Sequence, residues 1–348
     1  MPVMQTKTVR VGALPVGGDS PLTIQSMWKK PLTGLSDELV AGVNGLAALG
    51  CDILRFAVPD MKSAEVLGEL AGRVSIPLVA DIHFDHRLAL RCMDFPIAKV
   101  RINPGNIGAK WKVEDLVRKA LDKNVPIRVG VNHGSLPGHL AKEKDGAEAM
   151  LRAAEEEIGV LESLGFGNII ISLKSSDTES TVRANRLFAG RFDYPLHIGV
   201  TEAGPLIPGV VRSTLAFSSL LRDGIGNTLR VSLSDTPEAE VITAREILAA
   251  LGMRVKGIRL VSCPRCGRAG FDVHGFLALA QNRLMSLDKN LTVAVMGCAV
   301  NGPGEARHAD IGITGAGNKV MIFKHGELAR TVAEENALEV FFAELEAL

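Results

Sequence analysis

The sequence predicts an α/β protein: a TIM (β/α)8 barrel over residues 1–252, followed by a smaller α+β domain over 257–348. Three observations predict it. Eight short segments rich in Ile, Val and Leu alternate with amphipathic stretches between residues 22 and 234, and continuous apolar strands joined by helices indicate a parallel sheet covered on its outer side. The units take roughly 27 residues each, near the lower size for a closed eight-stranded barrel. No strand runs into a G-x-G-x-x-G turn, which weighs against an open doubly wound sheet.

In chain order, TVRVGALPVGG (8–18) reads as a small hairpin turning around Gly12 and Ala13, a cap for the N-terminal end of the barrel. The strands follow as LTIQS (22–26), ILRFAV (53–58), PLVADI (77–82), AKVRIN (98–103), IRVGVN (127–132), NIIISLK (168–174), LHIGVTE (196–202) and TLRVSLS (228–234). Helices are expected over 36–50, 113–124 and 145–165, among others. The eighth has a clear start, with Thr236 as cap and Pro237 at the first helical position, and a clear stop at Gly252. Beyond Gly257 the pattern changes to GIRLVSC, a helix around GFLALAQNRLMSL, then LTVAVMGC, ADIGITG, KVMIFKHG and a terminal helix.

Composition narrows the function. Lys plus Arg and Asp plus Glu are both 39, so the formal net charge is zero. A general electrostatic grip on nucleic acid or on an anionic membrane is not expected, and any anion site must be a local concentration of charge. No apolar run approaches bilayer length, and MPVMQTKTVR lacks the apolar segment of an export signal. Five cysteines do not make a disulfide framework. Cys51 and Cys92 read as buried small hydrophobes, and a reducing cytoplasmic location is expected.

In a closed parallel barrel, polar residues at strand C-termini converge on one mouth. Here that set is Arg55, Asp81, His83, Arg101, Asn103, Arg128, Asn132, Lys174, Glu202 and Ser232. Four cations around one cavity repel unless an anion sits among them. Arg forks match phosphate oxygens and Lys adds a point charge, so the expected ligand is a small, multiply charged phosphate ester. Asn103 and Asn132 can fix hydroxyl groups. Glu202 is the carboxylate expected to move a proton, and Asp81 to orient an Arg or His83.

The remaining cysteines form a second constellation. CPRCG (263–267) is a C-x-x-C turn with no second C-x-x-C downstream; its one partner is Cys298, in MGCAVNGPGEA. With Cys263, Cys266 and Cys298 as thiolates, Glu305 in the same loop is placed to be a fourth ligand. Three thiolates and one oxygen suit an iron–sulfur cluster with one distinct iron, and favour it over the alternative, zinc with three Cys and one His or carboxylate.

The segments VGGDSPLTIQSM, ADIHF, KVRINPGNIG, IRVGVNHGSL, LHIGVTEAG, VSCPRCGR and VAVMGCAVNGPGEA, taken together and in this order, closely resemble the bacterial 4-hydroxy-3-methylbut-2-en-1-yl diphosphate synthase family. The resemblance implies a barrel that binds 2-C-methyl-D-erythritol 2,4-cyclodiphosphate. It also implies a C-terminal domain that carries a [4Fe–4S] cluster and is similar to the cluster-bearing half of sulfite and nitrite reductases. By motif, the cluster ligands would be Cys263, Cys266, Cys298 and Glu305, with Asn301 beside them toward the substrate. It implies reductive ring opening and dehydration with two electrons from a donor such as flavodoxin or ferredoxin. Where the family follows QSM with a Thr/Asn-rich run, this chain has Trp28, Lys29 and Lys30, and Asn227 stands where Asp is common. Rival readings are a zinc-bearing receptor for a phosphate ligand and a pterin-binding barrel of the dihydropteroate synthase kind. The second leaves Cys263, Cys266, Cys298 and Glu305 unexplained.

Chain direction adds an expectation about assembly. The last strand ends at the mouth, so the helix from Pro237 to Leu251 must run toward the opposite end, about 22 Å at 1.5 Å per residue. The linker Gly252 to Lys256 reaches at most about 18 Å when extended. A cluster acting at the mouth should then belong to another chain, and the simplest closed solution is a head-to-tail homodimer; the alternative is a large hinge at Gly252 and Gly257 that folds the domain over its own barrel.

Overall fold

The computed structural model describes residues 5–253, 257–298, 300, 304–305, 308–317 and 319–348. The chain divides into two compact units, Met1–Met253 and Arg254–Leu348.

The first unit opens with a hairpin, β1 (Val9–Val11) and β2 (Leu14–Val16), turning at Gly12–Ala13. Its Val9, Val11 and Val16 pack with Ile53, Val79, Ala98 and Ile170 at the starts of barrel strands, so the hairpin closes the barrel floor. The barrel strands are β3 (Thr23–Met27), β4 (Ile53–Ala57), β5 (Leu78–Asp81), β6 (Lys99–Ile102), β7 (Ile127–Asn132), β8 (Ile169–Lys174), β9 (His197–Ile198) and β10 (Thr228–Leu229). They pair in parallel in the order β8-β7-β6-β5-β4-β3-β10-β9. A parallel bridge between Ile171 and Leu196 joins the two ends of the ring.

Helices cover the outside. Ser36, Asp60, Asp145, Asp177 and Thr236 each accept a backbone N–H from the first turn of the helix they precede. This satisfies donors that a helix start leaves without intrahelical partners. The last barrel helix, Pro237–Ala250, begins at the cap and proline read from the sequence. Asn227 lies just before β10. Its Oδ1 accepts the Leu196 N–H (2.9 Å), and its Nδ2 donates to Thr6 Oγ1 (3.2 Å). Cys51 and Cys92 are buried, and burial pushes both thiols up to about 12, as suits inert core residues.

One expectation needs correction. The last two strands are two-residue ladders rather than the full segments 196–202 and 228–234. At Gly199 a Cβ would lie 2.6 Å from Lys174 Nζ and 2.8 Å from the Arg230 carbonyl oxygen, so the chain passes too close to its neighbours for a regular ladder. The barrel interior itself is strongly polar. The strands alternate with period two. Gln25, Arg55, Lys99, Arg128, Lys174, His197 and Arg230 take the inward face, and Ile53, Val79 and Ile170 only the floor.

The second unit is a five-stranded sheet of β11 (Arg259–Ser262), β12 (Thr292–Met296), β13 (Ile311–Ala316), β14 (Lys319–Lys324) and β15 (Glu327–Ala333) in that order. The first three are parallel and the last three antiparallel. Helices Val273–Met285 and Ala337–Glu346 supply Phe276, Leu284, Phe341 and Phe342 to a core with Val293, Val295, Ile311 and Ile322. The edge strand β15 goes unread in the sequence because its side chains are mostly exposed. Its turn is legible: His325 (φ 49°) and Gly326 (φ 85°) form a two-residue turn with both angles positive.

Candidate active site

At the carboxyl ends of the barrel strands lies a cavity of about 220 Å³, lined by Met27, Arg55, Asp81, His83, Arg101, Arg128, Asn132, Ser172, Lys174, Thr201, Arg230 and Ser232. Five of these are arginine or lysine, one is a histidine and one carries a carboxylate. Asp81 is shared: its Oδ1 is 3.3 Å from Arg101 Nη1, and its Oδ2 is 3.5 Å from Arg55 Nε and 3.7 Å from His83 Nε2. Arg230 is held from behind by the buried Glu240, with Nε–Oε2 at 3.1 Å and Nη2–Oε1 at 3.0 Å. Glu240 also accepts from Ser26 Oγ (2.9 Å) and the Leu233 N–H (3.1 Å), and pairs with Lys29 Nζ (2.9 Å). The thioether of Met27 receives Arg55 Nη2 at 2.8 Å and Arg230 Nη1 at 3.5 Å.

Arg128 and Lys174 have no carboxylate partner among the described residues. Arg128 is 2% exposed, and its Nε and Nη1 meet no acceptor among the described residues. Burial and the neighbouring guanidinium groups push both Arg128 and Lys174 well below their ordinary pKa values. Arg55 is pushed down to about 10, chiefly by burial and partly restored by Asp81. For Asp81, burial opposes ionisation, but Arg55, the His83 contact, Arg101 and Arg128 outweigh it and hold the carboxyl well below the usual range. Buried guanidinium donors without acceptors are costly, and an entering anion relieves that cost. Glycine makes the crowding possible: at Gly130 a Cβ would lie 2.7 Å from Arg101 Nε.

Of the ten strand-end residues predicted to converge, the structure brings together Arg55, Asp81, His83, Arg101, Arg128, Asn132, Lys174 and Ser232. Two stand apart. Asn103 is buried ahead of the single turn Pro104–Ile107, and its Oδ1 has no protein partner. Glu202 is exposed and lies outside the lining, because a left-handed backbone (φ 51°) sets it apart from the inward path of Thr201. The prediction missed Arg230, together with Met27, Ser172 and Thr201. It took only the polar residue ending each segment. The period-two spacing Thr228, Arg230, Ser232 puts Arg230 on the inward face and was the available signal. The departure at 28–30 is accommodated. Trp28 stacks on Phe56 at 5.9 Å and 25°, and Lys29 is bonded to Glu240 and to the Leu233 (2.7 Å) and Asp235 carbonyls.

In the second unit Cys263 follows β11, its N–H bonded to the Val295 carbonyl (3.0 Å), and Cys298 follows the adjacent parallel strand β12. Cys263 packs with Ala294, Met296 and Ala309, a separate cluster from the core that the helices cover. Arg265 adopts φ 66° between the two cysteines of the turn, and its N–H points at Cys263 Sγ at 3.4 Å. An amide aimed at sulfur, thiols at the ends of neighbouring strands and an exposed Cys266 form a soft donor set that fits a thiolate-bound cluster. Glu305 is exposed in a short turn, its carbonyl accepting the His308 N–H (3.1 Å). Among the described residues, no three of His, Cys, Asp and Glu are gathered tightly enough to hold a metal ion. Asn301 lies outside the described residues.

Comparison with known proteins agrees along the whole chain. The family described as the GcpE TIM-barrel domain matches residues 6–245, and the GcpE protein C-terminal domain matches 259–347. A protein of Treponema pallidum (strain Nichols) is 56% identical over 335 residues, covering 92% of this chain and 83% of its own length. One of Geobacter sulfurreducens is 49% identical over 346 residues, covering 99% and 98%. Both are named 4-hydroxy-3-methylbut-2-en-1-yl diphosphate synthase (flavodoxin). Among solved structures, the dihydropteroate synthase of Yersinia pestis is similar at a TM-score of 0.53 with 12% identity, covering 72% of this chain and 98% of that one. At that identity the likeness shows the barrel fold alone. By both family matches and by these relatives, the chain belongs to the GcpE family, that of the 4-hydroxy-3-methylbut-2-en-1-yl diphosphate synthases.

Proposed function

We propose that this chain reductively opens and dehydrates 2-C-methyl-D-erythritol 2,4-cyclodiphosphate to 4-hydroxy-3-methylbut-2-enyl diphosphate, a step of isoprenoid precursor biosynthesis. The observation that carries it is the buried guanidinium of Arg128, its Nε and Nη1 without acceptors among the described residues, in a small cavity with four further cations. In the balanced reaction the dianionic ring takes up two electrons and one proton, and yields the trianionic open diphosphate and water.

Arg55, Arg101, Arg128, Lys174 and Arg230 hold the diphosphate oxygens, with Arg230 braced by Glu240 and Arg55 and Arg101 aligned by Asp81. Asn132, Ser172, Thr201 and Ser232 bind hydroxyl groups, and His83 and Asn103 flank them. Glu202 serves from the rim as the proton-moving carboxylate. Cys263, Cys266, Cys298 and Glu305 hold a [4Fe–4S] cluster, with Asn301 beside it. When bound, that cluster supplies single electrons and a Lewis-acidic iron.

The relatives' names print flavodoxin, and a flavodoxin is the electron donor proposed here. Among the described residues no helix is long and apolar enough to cross a membrane; the protein is assigned to the cytoplasm, with no nucleic-acid partner. The barrel (1–252) binds substrate and the second domain (257–348) carries the cluster. The direction of the chain supports a head-to-tail homodimer in which each cluster domain serves the partner's barrel. The test is anaerobic turnover: iron-loaded protein, the cyclic diphosphate, and flavodoxin or dithionite as reductant. The open diphosphate is expected as product. Substrate left intact by protein holding its full iron complement would refute the proposal.

A further inference from the structure

Beneath the mouth the barrel carries a second polar tier. Lys99 stands two residues before Arg101 on β6, and His197 begins β9, both on the inward face. Neither lines the cavity, and both are 0% exposed. Barrel interiors at this depth are ordinarily filled by Val, Ile and Leu. Lys99 Nζ reaches Gln25 Oε1 at 3.3 Å and, among the described residues, pairs with no carboxylate. Both ring nitrogens of His197 and Nε2 of Gln25 meet no partner among the described residues.

The groups facing Lys99 from the surrounding strands are Gln25 on β3, Arg55 on β4, Arg128 on β7 and His197 on β9. The carboxylate of Asp81 on β5 is already shared between Arg55 and Arg101. Burial, then Arg128 and Arg55, keep the Lys99 amine well below its ordinary pKa. His197 is held neutral by burial and then by Lys174 and Arg128. An amine that is neutral only because of burial and positive neighbours becomes an ammonium once a dianion settles among those neighbours.

We propose that Lys99 takes up a proton when the cyclic diphosphate enters the mouth, so that a buried amine out of contact with the substrate adds to its counter-charge. The proposal rests on the reading of the mouth as the diphosphate site. The ligand cannot take the proton itself. Each phosphorus of a cyclic diphosphate bears a single strongly acidic oxygen, so the ligand stays dianionic throughout pH 6–9. Turnover then adds a third negative charge to the bound molecule, and the ammonium is in place to offset it. Gln25 Oε1 is the acceptor that steadies it.

The test is calorimetric titration of the cluster-loaded full chain with 2-C-methyl-D-erythritol 2,4-cyclodiphosphate, anaerobically and without reductant, in buffers of different ionisation enthalpy near pH 8. Wild type should take up about one proton more per bound ligand than Lys99→Met. Its affinity should fall about tenfold more steeply per pH unit than that of the variant. Lys99→Gln, which keeps a polar contact with Gln25, should behave as Lys99→Met does and guards against misfolding of either variant. Binding by wild type without proton uptake overturns the proposal. So does equal uptake in wild type and variants, which would place the proton on a mouth residue such as Lys174. Absence of binding by wild type would instead overturn the reading of the mouth.

Discussion

Arg128→Met separates a binding cation from a structural one. Arg128 is 2% exposed, two of its donor nitrogens meet no acceptor among the described residues, and it faces Arg55 and Arg101. A buried charge without a partner is a burden on the empty protein, and apolar replacement of buried ionic groups stabilises by about 1–4 kcal/mol. The substitution should therefore raise the melting temperature of the barrel, by about 2–4 °C for each kcal/mol gained at this domain size. Binding should move the other way. Losing charge-assisted hydrogen bonds to a buried diphosphate costs about 2–4 kcal/mol, roughly 30- to 1,000-fold in Kd. Thermal unfolding without ligand and calorimetric titration with the cyclic diphosphate read the two effects separately. A lower melting temperature with unchanged Kd would refute the reasoning and make Arg128 a structural tie.

Single replacements of Cys263, Cys266 and Cys298 by Ser should each abolish the broad absorption near 400 nm and the bound iron of anaerobically prepared protein; stoichiometric iron in all three would remove these residues from the ligand set. Glu305→Ala should lose most turnover while retaining part of the iron, and near-normal turnover would return Glu305 to a structural role. Glu157, on helix Gly146–Ser163, is raised to about 7 by burial, with both oxygens on the Gly105 N–H at 3.0 and 3.1 Å. Because its folded pKa lies above the unfolded value, the stability it contributes is full below about pH 4 and is lost as pH rises through 7, about 3 kcal/mol in all. Glu157→Gln should flatten the stability profile between pH 5 and 8, and an unchanged slope in urea titrations would contradict this. Finally, mixing a barrel-dead chain (Arg55→Ala with Arg128→Ala) with a cluster-dead chain (Cys298→Ser) should restore about a quarter of wild-type activity if the partner supplies the cluster. Verified heterodimers that stay inactive would rule out that assembly.

Local order was legible where one residue decides it. Thr236 and Pro237 start a helix whatever surrounds them, because the cap and the fixed proline φ act within one turn. The strands of the barrel were legible from their short apolar runs, although the last two pair over two residues only, and most of the mouth residues followed, since the end of a parallel strand is known once the strand is. Arg230 and the tier of Gln25, Lys99 and His197 were not read. Inwardness there depends on which face of each strand turns to the axis, and an Ile or Val on the outer face of a barrel looks the same in a sequence as one on the inner. Glu202 shows how the backbone path decides placement: it ends a strand-like segment, but β9 stops at Ile198 and a positive φ sets the side chain outside the cavity lining. Residue type and spacing thus determined the elements, the capping, the thiolate motif and the sign of charge at the mouth. Burial, the shared Asp81 and the unpartnered donors of Arg128 came from the closure of the ring. Eight strands have to meet before like charges from distant segments share one small, poorly hydrated space, and that proximity turns a scatter of cations in a neutral chain into an anion site.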